Sequence, residues 1–297
     1  MAFKFTLFNK SPSQPPPAQA QPQPWVPLGH YYSPIVDVHE LEKRRHQVFD
    51  RSIAPSGIDL REEYQLQLLN KLKPHYDRLE FTPAPKEGFR YHYDNNAFSY
   101  ADGIILACML MELRPRRLIE FGCGYSSCVT LDINEKIFNW SIDCTFIDPY
   151  PDAFLRLVKP GDVECIKVLK EPAQDIDLGI IDQLEAGDIL FIDSTHVSKA
   201  GSDVNFHVFK VLPRLKSGVM IHFHDIFYPF EYPESWFFNE NRSWNEIYLL
   251  RAFLTDNPKY EIELFNHFIG LKHRQKVDEL MPLFGRNIGG SLWLRKK

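Results

Sequence analysis

The chain has 297 residues, a formal net charge of −5, 44% hydrophobic and 25% charged residues, the proportions of a globular protein with ample material for a core. No apolar run reaches the ~20 residues that cross a bilayer; the richest, Ile104 to Met111, is far too short. The mild acidity argues against sequence-independent nucleic-acid binding, which needs a basic face.

Met1 to Phe8 carries Lys4 inside its apolar stretch and runs into Asn9-Lys10, so no signal-peptide core is expected. Residues 11–27 hold seven prolines among Gln, Ala and Ser. Such a segment cannot bury enough apolar surface to offset its ordering entropy, so residues 1–27 read as a flexible or polyproline-like tail. A docking site for a proline-binding module is the sharper alternative. Residues 28–98 are mixed in pattern and read as a helical cap. In it Asp59 and Glu62 predict a helix start and Pro74 its end.

From residue 99 to 297 the period becomes regular. Ser99 and Asp102 frame a helix that ends at Arg114-Pro115. Strands are expected at 117–121, 144–148, 163–168, 188–193 and 219–223, with helices at 126–137 and 203–212 between them. Near-continuous apolar strands separated by helices imply a mostly parallel sheet covered on both faces. The end differs. Tyr260 to Phe265 alternates with period two and Ser291 to Leu294 adds a short strand, which suggests an antiparallel edge. Cys108, Cys123, Cys128, Cys144 and Cys165 form no CxxC pair, which fits a reducing cytoplasm better than a disulfide framework or a zinc site.

Glu120-Phe121-Gly122-Cys123-Gly124-Tyr125-Ser126-Ser127 follows a predicted strand and opens a predicted helix. Glycines there permit a sharp turn and close ligand approach, and the helix start presents free N–H groups. A dinucleotide turn would want Gly or Ala at Ser127. The carboxylate of Glu120 would repel a pyrophosphate and welcome an amino group or sulfonium. Asp148, at the tip of the next strand, suits the two hydroxyls of a ribose.

Taken together, IEFGCGYSS, FIDP, GDILFIDSTH and LPRLKSGVMIHFHDIF resemble the class I S-adenosylmethionine-dependent methyltransferases, most closely the small-molecule and sugar O-methyltransferase branch. The resemblance covers residues 90–297. It implies a Rossmann-like α/β fold with a seven-stranded, mostly parallel sheet of order 3-2-1-4-5-7-6. It also implies S-adenosylmethionine as cofactor, with Glu120, Gly122, Gly124, Tyr125, Ser126 and Ser127 around its methionine part and Asp148 on its ribose. Gln174 or Asp175 would meet the adenine amine, and Asp193 would close the cofactor site. Asn95 and Asn96 fall where they could reach the cofactor.

Two strand tips carry the candidate chemistry, since ligands of open α/β sheets bind at the carboxyl ends of the strands. FIDSTH puts Asp193 at one tip with His196 three residues on; HFHD puts His222 and His224 on one face with Asp225 at the other tip. A methyl transfer to a hydroxyl needs the acceptor oriented and its proton removed. Either His196 or His224 serves as general base, or Asp193 and Asp225 hold Mg²⁺ or a similar divalent cation that acidifies the hydroxyl. Catechol-type relatives have an Asn after the second acid, and here Ile226 stands there. The two versions remain open, with a slight lean to metal; His222 reads as a core residue.

Between Phe227 and Trp244 lie Tyr228, Phe230, Tyr232, Trp236, Phe237 and Phe238, a lid suited to a ring or lipid chain. Packing onto the sheet or contact with a second copy of the chain is the plainer alternative. Ser243 and Glu246 predict a capping box for a helix over 244–254. The reading is methyl transfer to a hydroxyl of a small molecule or glycan. An NAD-dependent oxidoreductase and a catalytically silent nucleoside-binding relative are its rivals.

Overall fold

The computed structural model describes residues 23–297. The expected tail therefore lies, as far as residue 22, outside the described residues; residues 23–27 are irregular and mostly exposed. Helices α1 (Val38–Lys43) and α2 (Arg45–Val48) contain no buried residue. They are followed by α3 (Glu62–Tyr76), α4 (Ala101–Leu113), β1 (Arg117–Phe121), α5 (Tyr125–Lys136) and β2 (Asp143–Ile147). Next come α6 (Asp152–Leu155), β3 (Lys167–Leu169), β4 (Ile189–Ile192), α7 (Asp203–Phe206) and β5 (Met220–Phe223). The chain closes with α8 (Glu234–Phe238), α9 (Glu246–Leu254), β6 (Tyr260–Phe265), α10 (Asn266–Lys272), α11 (Arg274–Leu280) and β7 (Leu292–Lys296).

The seven strands form one sheet of order β3-β2-β1-β4-β5-β7-β6. The first five run parallel, while β7 pairs antiparallel with both β5 and β6. This is the expected fold, with the expected last two strands. Strands β4 and β5 are buried along their whole length, which is why ILFI and MIHF read as unbroken apolar runs. Helix α4 is buried on all sides from Ala101 to Met111, so its face pattern disappears and only its length marks it as a helix.

Several boundaries depart from the sequence reading, each for a local reason. Helix α3 starts from Arg61 in a left-handed conformation, not from a capping Asp59, whose side chain accepts from the Arg61 amide instead. It also runs through Pro74 to Tyr76. A proline so near the end forfeits only one ladder bond. The third strand begins at Lys167, not at residue 163, because Asp162 is pinned in a turn. Its carboxylate accepts from the Lys159 amide and from the Arg90 guanidinium. The helix expected over 203–212 is α-helical only to Phe206 and continues as a π-helical stretch, His207–Val211.

One buried ion cluster ties the segment before α4 to the sheet domain. The Arg90 guanidinium meets Asp132 at 2.8 Å, Glu135 at 2.7 Å and Asp162 at 2.5 Å, and the Arg90 and Tyr91 amides donate to Asp132 as well. Losing Arg90 would leave the buried carboxylates of Asp132 and Asp162 without their cation, while Glu135 keeps Lys159. Arg90→Ala is therefore expected to lower the unfolding free energy by about 3–5 kcal/mol, measured by urea denaturation; a loss below about 1 kcal/mol would mean that water reaches the cluster.

Candidate functional site

The tight turn after β1 is dictated by a backbone contact. Gly122 has φ +81°, and a side-chain carbon there would stand 1.7 Å from the Asp193 carbonyl oxygen. Only glycine permits that approach. Gly124 differs: its backbone is extended and an added carbon would meet nothing within 4 Å. It borders open space, a cavity of about 600 Å³ at the carboxyl ends of the strands.

Of the expected cofactor residues, Gly122, Gly124, Tyr125, Ser126, Asp148, Gln174 and Asp193 line this cavity. Glu120 and Ser127 lie behind its wall. Glu120 is fully buried; its Oε1 accepts from the Ser126 and Ser127 hydroxyls, while Oε2 has no partner. Burial pushes its carboxyl up to about 8, against the two serine hydrogen bonds. Asp148 is held at the turn, accepting from the Cys123 and Tyr150 amides. Gln174 donates to the Gly201 carbonyl, whereas Asp175 is exposed and does not line the cavity. Asn95 is spent on a local turn with Ala97 and Phe98.

The second group of residues gathers around His196. Its Nε2 lies 3.3 Å from Asp193 Oδ1 and 3.7 Å from Asp225 Oδ2, and the ring is almost wholly buried. On the other side, Nδ1 meets Glu246 Oε2 at 2.8 Å. Burial pulls the imidazole down, but hydrogen bonds and charge from Asp193 and Glu246 outweigh it and hold its pKa well above the usual histidine value. Asp193 is lowered: burial works against its charge, and His224 and His196 overcome that. For Asp225 burial wins and the carboxyl is raised. His224 stands 3.6 Å from Asp225 Oδ1 and its Nδ1 is unpartnered. The rings of His222 and His224 lie on one face, 6.0 Å apart, as the period of two requires. His222 is a core residue, stacked on Phe191 and bonded to Ser291.

Glu246 escaped the sequence reading. The pattern Ser243…Glu246 looks like a capping box, but helix α9 begins at Glu246 behind Asn245, with no side-chain cap. The carboxylate turns instead to an imidazole fifty positions upstream, and no local spacing signals that. Trp244 packs on the same ring, with centroids 4.5 Å apart. The lid aromatics behave as the plainer reading had it. Tyr228, Phe230, Tyr232 and Phe237 are buried, and none of the six lines the cavity.

A methyltransferase-domain family model matches residues 119–226, from within β1 to just beyond β5. The chain is 32% identical over 167 residues to an uncharacterised protein of Archaeoglobus fulgidus, covering 54% of this chain and 73% of that one. Among solved structures it is similar to the S-adenosylhomocysteine-bound methyltransferase PaMTH1 of Podospora anserina, at 14% identity over 87% of this chain and 96% of that one, with a TM-score of 0.42. It is also similar to the S-adenosylmethionine-bound O-methyltransferase TomG of Streptomyces achromogenes, at 10% identity, 88% and 96% coverage and a TM-score of 0.41. Likeness at that level carries no argument; the strand order and the domain match do. The chain belongs to the class I S-adenosylmethionine-dependent methyltransferases. The dinucleotide reading falls with the same facts, because a plain dinucleotide sheet lacks the antiparallel strand between β5 and β6. Among the described residues no helix is long and apolar enough to cross a membrane.

A Cβ at Gly124 would meet no protein atom within 4 Å, beside the cavity. Gly124→Leu is expected to lower the unfolding free energy by about 1 kcal/mol, the cost of an apolar residue at the N-cap of α5, while abolishing S-adenosylhomocysteine binding in titration calorimetry. Retained binding would show that the cofactor lies elsewhere.

Proposed function

We propose that the protein transfers the methyl group of S-adenosylmethionine to a hydroxyl of a small molecule or glycan, with His196 as the general base. The observation that carries this is the placement of His196 Nε2 between Asp193 and Asp225, at 3.3 and 3.7 Å, beside the cavity that Asp193 helps to line. A neutral amine attacks a sulfonium with its own lone pair. A hydroxyl becomes a good nucleophile as its proton leaves, so a buried base beside the cavity points to oxygen.

The residues present fit the cofactor. The open side of Gly124 leaves it room, and the unpartnered Glu120 Oε2 and the turn-anchored Asp148 answer its amino and ribose groups. Gly122, Tyr125 and Ser126 would border its methionine part, with Ser127 holding Glu120 from behind, and Gln174 would face the adenine. When bound, the cofactor supplies a methyl group on a positively charged sulfur. An acceptor hydroxyl entering from the cavity side of Asp193 would give its proton to His196 Nε2.

The residues fit a resident cation less well. Among the described residues no group of three or more His, Cys, Asp or Glu side chains is arranged to hold one. The imidazole itself stands between the two acids proposed as ligands. The geometry thus favours the histidine version over the metal version. His224 is the weaker base candidate, since it meets only Asp225.

The raised pKa fixes the sign of the pH dependence. His196 accepts a proton only in its neutral form, which appears as pH rises through that raised value. With an acceptor found by screening, the rate is expected to climb with pH, at a higher pH than an ordinary histidine would set. His196→Ala should lose that limb and about 10²–10⁴ of the rate. An unchanged rate in that variant, or activity abolished by chelation and restored by Mg²⁺, would replace the histidine with the cation. Calorimetry with S-adenosylmethionine, S-adenosylhomocysteine and NAD tests the broader reading. Cofactor binding with no transfer to any of a wide acceptor panel would favour the silent relative.

A further inference from the structure

The environment of Glu246 is unusual for a carboxylate. It is buried, no Lys or Arg among the described residues pairs with it, and its Oε1 has no hydrogen-bond partner. Leaving a carboxyl in such a place is costly. It does not cap its own helix, and its one polar contact is His196 Nδ1 at 2.8 Å. The backbone repeats the link, since the Asn245 and Glu246 amides both donate to the His196 carbonyl at 3.1 Å. Helix α9 is thus tied to His196 through side chain and main chain together.

The two ring nitrogens face competing acceptors. Asp193 and Asp225 would draw the single proton of a neutral imidazole to Nε2, from 3.3 and 3.7 Å. Glu246 draws it to Nδ1 from 2.8 Å, within good hydrogen-bond range, whereas the other two are long. We infer that Glu246, carried by the helix that follows the aromatic loop, is the positioning residue that keeps the proton on Nδ1 and leaves the Nε2 lone pair aimed between the two strand-tip acids. The inference rests on His196 being the base. Without Glu246, the acids that flank the acceptor site would themselves disarm the histidine.

The test is the nitrogen spectrum of ¹⁵N-histidine-labelled full-length protein with S-adenosylhomocysteine, recorded at a pH where His196 is neutral. The His196 signals are identified by their loss in His196→Gln. In the wild type the proton is expected on Nδ1. Glu246→Leu should shift the tautomer ratio toward Nε2–H by about 10- to 100-fold, the worth of one charge-assisted hydrogen bond. Glu246→Asp, with a carboxylate one methylene shorter, should keep Nδ1–H in the majority. A wild-type proton on Nε2 overturns the inference, even if the leucine variant fails to fold. So does a leucine variant that binds S-adenosylhomocysteine with an unchanged ratio. A His196→Ala variant of undiminished activity would remove the base reading while leaving this spectrum as it is, so the two failures are distinguishable.

Discussion

The architecture of the site depends on one close approach, that of the Gly122 backbone to the Asp193 carbonyl. It follows from the parallel pairing of β1 with β4, continued past their ends by the Asp193 amide donating to the Phe121 carbonyl. Because the segments that leave β1 and β4 touch there, the glycine turn and the first acidic tip share one cavity wall. Glu120, Asp148 and Asp193 then stand near one another with no Lys or Arg paired to them among the described residues. Mutual repulsion and burial raise the Glu120 carboxyl, with burial the larger cause. A ligand carrying positive charge relieves that arrangement, whereas a phosphate would aggravate it. The electrostatics that favour the sulfonium cofactor are therefore a consequence of the strand register.

On the far side of Asp193 the balance is struck by histidines. His196 and His224 bring Asp193 down in pKa, although burial alone would raise it. The imidazole of His196 is in turn held by a carboxylate from α9 and by the face of Trp244. The loop between β5 and α9 thus does something different from covering the cavity. Its aromatic residues pack inward on one another and on β6: Phe230 lies 5.5 Å from Phe265, and Tyr232 stacks on Trp236 at 5.5 Å. That packing fixes where α9 begins, and where α9 begins fixes the imidazole.

The parts legible in the sequence are those whose cause is local. The glycine turn could be read because strand, turn and helix are consecutive, and a glycine with positive φ has few other uses. The strand order came from the resemblance, and the late antiparallel pair was visible in its period of two. Glu246 was illegible because a serine three residues earlier offered a complete local explanation for it. The third strand starts later than its apolar pattern suggests because Asp162 is held in its turn by Arg90, 72 positions upstream. Asp175 and Gln174 could not be told apart from composition; the Gln174 bond to the Gly201 carbonyl is again non-local.

Two non-glycine residues of the site, His196 and Asp225, have φ of +58° and +57°, a left-handed conformation that side chains with a Cβ rarely adopt. Such strain persists only where the surroundings over-determine it. For His196 the surroundings are the two α9 amides on its carbonyl and the carboxylate on its ring. For Asp225 they come from the approach to β7: the following amide, of Ile226, donates to the Gly290 carbonyl, and a side chain at Gly290 would crowd the Asp225 Cα at 3.1 Å. Gly290 is itself held through its amide by the buried Asp102 of α4. The two left-handed residues turn their side chains toward the same point from adjacent strand ends. An ordinary extended exit from either strand would direct one of them elsewhere, so the strain is what makes the two acids and the imidazole converge.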